Sequence, residues 1–187
     1  MTAIQKKKFV FVCTGNTCRS PMAEMIFRAV VKKMRLQNIA VSSAGIKVAP
    51  KSTMNEKTLE TLIEKGIPRV KFSPKKLSEK LLKESFVIVC MTDSQRDLVM
   101  EMRWQALRRA GVEEIENNVY SFSEIAGYEI LDPYGRDKDC YEYVYELLAG
   151  GMVALIDKTL PENEREYTVQ KKKKTTKKSV EQLTITI

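Results

Sequence analysis

The sequence has no histidine among its 187 residues, only one tryptophan and only four cysteines. Without histidine, a Cys–His pair cannot activate a nucleophile. The cysteines lack the pattern of a disulfide scaffold, which favours a reducing cytoplasm, and we see no ligand cluster that calls for a metal or other cofactor. They are Cys13, Cys18, Cys90 and Cys140. No stretch approaches about 18 uninterrupted apolar residues, so we expect no membrane span or membrane partner.

Charge is unevenly distributed along the chain. Residues 161–187 contain seven Lys/Arg and four Asp/Glu, whereas residues 1–160 contain 25 and 20, which leaves +5 on the body. We predict one domain over 1–160 and a flexible basic tail over 161–187 that would suit acidic partners. A basic body attracts anions, but no helix-turn-helix, zinc finger or aromatic–basic platform is present, so nucleic acid is not the expected partner.

Apolar runs alternate with helical patterns. The runs predict strands at 8–13, 39–43, 86–91 and 119–122. The helical spacing predicts helices at 21–35, 55–65 and 141–160. Leu77, Leu81 and Leu82 mark a further short helix, and Thr92 or Asp93 would cap a helix that carries Leu98, Val99 and Met102. This alternation indicates a single-domain, doubly wound α/β fold with a mainly four-stranded parallel sheet and helices on both faces. A ligand would then bind at the carboxyl ends of the strands.

The loop after the first predicted strand carries the clearest chemistry. Cys13 stands where the strand ends, and Arg19 stands where the next helix begins. Backbone N–H groups between them can form a nest for a tetrahedral dianion beside the positive end of the helix. The same field favours a nucleophilic thiolate, and the arginine fork can hold two phosphoryl oxygens.

The bare Cys-x5-Arg spacing is common, and a cysteine at a strand end is usually a small buried apolar residue. Here Gly15 permits close approach of a ligand, Asn16 tolerates a left-handed turn, and Ser20 offers a hydroxyl to the thiol. The loop lacks the Gly-Lys-[Ser/Thr] of a nucleotide P-loop, and its two cysteines are too far apart for a thioredoxin-like motif.

The string Val12–Pro21 followed by Met22-Ala23-Glu24 resembles the active-site loop of the low-molecular-weight protein tyrosine phosphatase family. Ser43-Ala44-Gly45 and Asp132-Pro133-Tyr134-Gly135 also lie where that family has matching elements. The resemblance covers about residues 6–160. An Asp-Pro pair alone indicates only a turn, but its position after the cysteine loop supports the resemblance.

The resemblance implies a phosphatase that acts on phosphorylated proteins through a phosphocysteine intermediate. Cys13 would be the nucleophile, Arg19 would hold the phosphoryl group, and Asp132 would protonate the leaving group. Phosphate and substrate binding would fall to Thr14, Gly15, Asn16, Thr17, Cys18, Ser20, Pro133 and Tyr134. Ser43 would support the loop together with the Asn16 amide and the Ser20 hydroxyl.

Two loop residues refine this expectation. In the family, a thiol placed like Cys18 can form a reversible disulfide with the nucleophile; a buried structural thiol is the alternative. Position 17 is usually apolar and branched in tyrosine-specific members, but here it is Thr17, as in the bacterial protein arginine phosphatases that the loop most resembles. We therefore expect phosphoarginine as the substrate, with phosphotyrosine or a broad range of aryl phosphates as the alternative.

Two other functions fit the sequence less well. Arsenate reductases share the fold but need two further relay cysteines; Cys90 lies near one such place, yet residues 92–102 contain no cysteine and Cys140 is distant. A non-catalytic phosphoprotein-binding module would be expected to lack the nucleophile, the arginine or the acid, and this chain retains all three.

Overall fold

Four parallel strands form one sheet at the centre of the computed structural model, which describes residues 6–113 and 116–165. They are β1 (Lys7–Cys13), β2 (Ile39–Gly45), β3 (Val87–Cys90) and β4 (Val119–Ser121). The strand order is β2-β1-β3-β4, and every neighbouring pair is parallel. The predicted α/β fold with a four-stranded parallel sheet is confirmed.

Seven helices are present in the described residues. They are α1 (Arg19–Lys33), α2 (Glu56–Glu64), α3 (Glu79–Glu84), α4 (Asp93–Arg109), α5 (Phe122–Ala126), α6 (Lys138–Thr159) and α7 (Glu162–Arg165). Five of them lie where helices were predicted, while α5 and α7 were not predicted.

Alternating side chains of β1 divide the core into two layers. Phe9 and Phe11 face a cluster that includes residues of α1 and α6, and Phe9 packs on Phe27 with ring centroids 5.0 Å apart. Val10 and Val12 face the opposite cluster, which includes residues of α3 and α4. Because both faces of the strand are buried, β1 reads as a continuous apolar run, as is typical of a central parallel strand.

Capping side chains account for the helix boundaries that the apolar pattern missed. Ser121 and Glu124 form a capping box at the start of α5, so the chain turns into a helix at Phe122 instead of continuing the predicted strand. Asp137 caps α6 by accepting a hydrogen bond from the Cys140 N–H, which starts that helix three residues before the predicted position.

The described chain ends in the short helix α7 after Pro161. Glu164 of this helix lies 2.6 Å from the Lys7 ammonium of β1, and Arg165 donates to the Leu160 carbonyl. The predicted tail therefore begins with a helical turn that contacts the domain. The rest of the predicted tail, residues 166–187, lies outside the described residues. Within residues 6–113 and 116–165, no helix is long and apolar enough to cross a membrane.

Candidate active site

The loop between β1 and α1 is held from outside by backbone hydrogen bonds. The carbonyls of Cys13 and Thr14 accept from the N–H groups of Ile46 and Lys47 at 3.0 and 2.8 Å. The Thr17 carbonyl accepts from the Asn55 N–H at 2.9 Å. These bonds engage three carbonyl oxygens that would otherwise repel an anion in the loop.

Asn16 is the internal brace of the loop. Its backbone is left-handed, with φ of 56°, a conformation that asparagine adopts more readily than most residues. Its amide nitrogen donates to the hydroxyls of Ser20 and Ser43, both at 2.9 Å, and its amide oxygen accepts from the Lys75 N–H at 2.9 Å. Because the side chain is buried with both ends hydrogen-bonded, it fixes the loop in one shape.

The Cys13 sulfur lies at the base of this loop with only 3 % of the residue exposed. Its Sγ is 3.0 Å from the Ser20 hydroxyl oxygen and accepts from the Asn16 N–H at 3.3 Å. The buried sulfur is thus held in place by polar contacts from the loop itself.

Arg19 and Asp132 meet in the same cleft from opposite ends of the chain. Nη2 of the arginine lies 2.5 Å from Oδ2 of the aspartate, and Nη1 donates to the Ile130 carbonyl at 3.4 Å. The arginine side chain is 6 % exposed and the aspartate side chain 52 % exposed. The carboxylate also accepts from the Tyr134 N–H at 3.2 Å, so the Asp-Pro loop is fixed close to the cysteine loop.

The cleft above the sulfur has a volume of about 340 Å³. Eight residues predicted for the site line it: Cys13, Thr14, Gly15, Thr17, Cys18, Arg19, Asp132 and Tyr134. Three further lining residues, Lys47, Ala49 and Ser52, were not predicted. The predicted Asn16, Ser20 and Ser43 are fully buried and brace the loop, Pro133 is buried, and Tyr134 is 73 % exposed at the mouth.

Glu24 is a buried site residue that sequence reasoning quoted but gave no role. Its Oε2 accepts from the Ser43 hydroxyl at 2.7 Å, and its Oε1 pairs with Arg28 at 2.7 Å. Through Ser43 and Asn16 it anchors the brace of the loop. The sequence signal that could have identified Glu24 is its position as an acidic residue within an otherwise apolar stretch of the predicted helix.

Gln95 of α4 is a second supporting residue that the sequence analysis missed. Its amide nitrogen donates to the Thr14 hydroxyl at 3.2 Å, and its amide oxygen accepts from the Met91 N–H at 3.2 Å. It therefore links the first residue of the loop to the end of β3. No sequence pattern indicated this contact, because it depends on how α4 packs.

The remaining cysteines differ from Cys13 in their surroundings. Cys18 is buried with its sulfur 3.6 Å from the Thr17 hydroxyl and 3.8 Å from the Tyr141 hydroxyl, and burial raises the pKa of its thiol. Cys90 is fully buried in β3, where burial strongly raises the pKa of its thiol. Such a thiol is a poor candidate for a disulfide relay.

Comparison with known proteins identifies the family. The model of the family described as low molecular weight phosphotyrosine protein phosphatase matches residues 8–172. The chain is 31 % identical over 136 residues to the protein-arginine-phosphatase of Bacillus subtilis (strain 168), an alignment that covers 71 % of this chain and 83 % of that protein. It is 32 % identical over 143 residues to the low molecular weight protein-tyrosine-phosphatase PtpB of Staphylococcus haemolyticus, covering 75 % and 91 %.

A solved structure supports the same assignment. A crystal structure of a YwlE mutant from Bacillus subtilis superposes with a TM-score of 0.70 at 27 % identity, covering 82 % of this chain and 98 % of that one. The chain belongs to the low molecular weight phosphotyrosine protein phosphatase family. The resemblance stated from the loop motif is thereby confirmed, as is the prediction of a hydrolase of the protein phosphatase class.

Proposed function

We propose that this chain hydrolyses phosphoarginine in proteins through a phosphocysteine intermediate. The supporting observation is the geometry at Cys13, whose sulfur receives the Asn16 N–H and lies 3.0 Å from the Ser20 hydroxyl at the base of a cleft. The same cleft holds Arg19 and Asp132 as a pair. A sulfur nucleophile, a guanidinium and a carboxyl group are the three groups that phosphoryl transfer through cysteine requires.

In the first step the Cys13 sulfur attacks phosphorus, so that an S–P bond forms as the bond from phosphorus to the leaving nitrogen or oxygen breaks. Asp132, which takes a proton from solvent when the phosphoryl group displaces it from Arg19, gives that proton to the leaving atom. Arg19 and the N–H groups of residues 14–19 hold the three equatorial oxygens while their charge is redistributed. The phosphoryl group must compete with Asp132 for the arginine, and its arrival releases the carboxyl group toward the leaving atom.

In the second step water attacks the phosphocysteine and gives a proton to Asp132. The S–P bond breaks, and inorganic phosphate leaves with Cys13 again a thiolate. The carboxyl group that acted as an acid thus acts as a base, which returns the site to its starting protonation state. Both steps use only residues of the cleft and water.

Thr17 supports phosphoarginine as the substrate. It is half-buried in the lining of the cleft, where its hydroxyl lies 3.6 Å from the Cys18 sulfur. A hydroxyl at this position suits a planar polar guanidinium better than a phenol ring, and the Asp132 carboxylate can accept hydrogen bonds from that guanidinium.

Phosphotyrosine is the second candidate, because Tyr134 places an exposed ring at the mouth of the cleft that could stack on a phenol. The relatives do not separate the candidates, since one is named for arginine and another for tyrosine. We propose the cytoplasm as the location, where thiols such as Cys13 stay reduced.

The deciding experiment compares kcat/KM for phosphoarginine and phosphotyrosine peptides of one sequence, with Cys13→Ser as the blank. Thr17→Val removes the hydroxyl at almost constant volume, and Thr17→Ile adds apolar bulk. We expect the native chain to prefer phosphoarginine and both variants to lose that preference, more so with isoleucine. A native preference for phosphotyrosine would overturn the assignment of the leaving group, and an unchanged Thr17→Val would show that only volume matters at this position.

We also propose that Cys18 protects the nucleophile from irreversible oxidation. Peroxide would convert the Cys13 thiolate to a sulfenic acid, and the Cys18 sulfur would then displace water to form a Cys13–Cys18 disulfide. Peptide mapping of peroxide-treated protein by mass spectrometry should find that link, and activity should return with dithiothreitol. Oxidation of Cys13 to the sulfinic acid without any link to Cys18 would refute the proposal.

A further inference from the structure

The surplus positive charge of residues 1–160 lies in one segment beside the cleft. Residues 46–76 contain eight Lys/Arg and three Asp/Glu, for a net charge of +5, whereas the rest of residues 1–160 contains seventeen of each. This segment follows the carboxyl end of β2, the end of the sheet at which Cys13 lies. The charge imbalance of the body therefore lies on the side of the molecule that meets the substrate.

Most of these cations have no acidic partner. Lys65 pairs with Glu146, and Lys57 donates to the Arg136 carbonyl. The other six form no ion pair with any residue in the described part of the chain: Lys47, Lys51, Arg69, Lys71, Lys75 and Lys76. A set of unpaired like charges repels itself and favours binding of an anionic partner.

A groove of about 730 Å³ runs through this segment. Arg69 and Lys71 line it together with apolar side chains, including Phe72 and Val70, the latter 40 % exposed. Glu56, in the first turn of α2, is the one acidic residue in the lining. The groove thus offers two cations and an apolar floor to an extended peptide.

The groove and the cleft are continuous along the backbone. Ser52 lines the cleft, and the next residue, Thr53, lines the groove. Asn55, two residues further on, donates its N–H to the Thr17 carbonyl, while the Lys75 N–H binds the Asn16 amide. Residues close in sequence to both sides of the groove are therefore hydrogen-bonded to the loop that surrounds the Cys13 sulfur.

We propose that this groove binds the segment of a protein substrate that flanks the phosphorylated side chain, and that it selects segments carrying acidic residues beside an apolar one. The inference rests on the proposed phosphatase function but not on the choice between arginine and tyrosine. Attraction between the cations and an acidic flank would raise the association rate and would weaken with salt.

The test compares phosphopeptides that differ only in three flanking Glu or three flanking Gln residues, each made with phosphoarginine and with phosphotyrosine. The native chain should show a kcat/KM about tenfold higher for the Glu peptides at low ionic strength, a ratio that shrinks in 0.5 M salt at about a 4 Å screening length. Arg69→Glu with Lys71→Glu should bring the ratio to one or below. For each variant, kcat/KM for a peptide is divided by kcat/KM of the same variant for a small aryl phosphate. This normalisation removes changes that the substitutions cause in the electrostatic potential at the cleft itself.

Lys6→Glu with Lys32→Glu is the matched control, because it makes the same charge change in exposed residues near the amino end of β2. It should keep the native ratio. A native ratio near one, or equal ratios in the two double variants, would overturn the groove proposal. If the native chain hydrolyses neither peptide, the phosphatase proposal fails instead. Fluorescence anisotropy with the Cys13→Ser chain then measures Glu-peptide and Gln-peptide binding to the groove directly.

Discussion

Nη2 of Arg19 lies 2.5 Å from Oδ2 of Asp132, so the proposed phosphate-holding group and the proposed acid form an ion pair with each other. The arginine is buried, and a buried guanidinium without a partner would be costly. Under the proposed mechanism the aspartate therefore has two functions. It compensates the arginine in the resting site and becomes available to the leaving group when phosphate replaces it.

Asp132→Ala should separate these two functions. Without its proton donor, kcat should fall about 100- to 1,000-fold. Inorganic phosphate should inhibit several-fold more tightly, because the arginine is no longer occupied by a carboxylate and a like charge has left the cleft. Both constants come from steady-state kinetics on an aryl phosphate. Asp139→Ala, an exposed acid in the first turn of α6, should change neither. Weaker phosphate inhibition in Asp132→Ala would contradict the competition between carboxylate and phosphate.

Adjacent serines of β2 offer a matched pair for the brace behind the loop. The Ser43 hydroxyl donates to Glu24 and accepts from Asn16, whereas the Ser42 hydroxyl is buried without a partner in the described structure. Ser43→Ala should lower the free energy of unfolding by about 1–3 kcal/mol, since it leaves a buried carboxylate and amide short of a partner. It should also slow alkylation of Cys13 by iodoacetamide at pH 6.

Ser42→Ala should be neutral or slightly stabilising and should leave alkylation unchanged. Urea unfolding and alkylation rates measured side by side make the comparison. Equal effects of the two substitutions would show that the hydrogen bonds of Ser43 do not hold the loop.

Some residues of this site could be predicted from local patterns in the sequence. The proximity of Cys13 and Arg19 could be predicted because one loop sets their separation, whereas Asp132 was placed beside them only through the family resemblance. The pairing of Glu24 with Ser43 could not be read, because it depends on α1 and β2 lying side by side. The helix α5 was missed despite a Ser-x-x-Glu capping signal at Ser121, since the apolar run was assigned to the strand.

Buried phenols should make the fold sensitive to alkali. Burial raises the pKa of Tyr145 to about 12, against about 10 for an exposed phenol. Between those values the folded chain keeps the proton and the unfolded chain loses it. The protonated Tyr145 phenol therefore contributes fully to the free energy of unfolding below pH 10. As pH rises toward 12 this contribution is lost, by about 1 kcal/mol per pH unit.

Tyr145→Phe should lose less stability than the native chain between pH 9 and 11. At pH 7 it should be neutral or slightly stabilised, because the Tyr145 hydroxyl is buried without a partner in the described residues. Tyr143→Phe, at a residue 56 % exposed, should keep the native pH dependence. Melting temperatures across this pH range test the prediction, and parallel curves for the native chain and Tyr145→Phe would refute it.

We expect glycine to be required at position 45 because a side chain there would meet the neighbouring loop, not because residue 45 itself adopts a turn conformation. A Cβ at this position would lie 2.8 Å from the Thr14 carbonyl oxygen and 3.0 Å from the Asn16 nitrogen. Both are backbone atoms of the loop around the Cys13 sulfur, so they cannot move aside without changing the cradle. Gly45→Ala should therefore lower kcat/KM for an aryl phosphate more than tenfold, through a displaced loop.

Gly151→Ala is the control, because its Cβ would lie 2.5 Å from the Phe122 ring in the core, away from the cleft. It should lower the melting temperature through overpacking, by an amount that corresponds to about 1–3 kcal/mol, while the folded protein keeps native kcat/KM. Activity assayed well below each melting temperature separates the two effects. If both alanine variants lose stability and activity in the same proportion, the contact between Gly45 and the loop has no specific part in catalysis, and general destabilisation explains both.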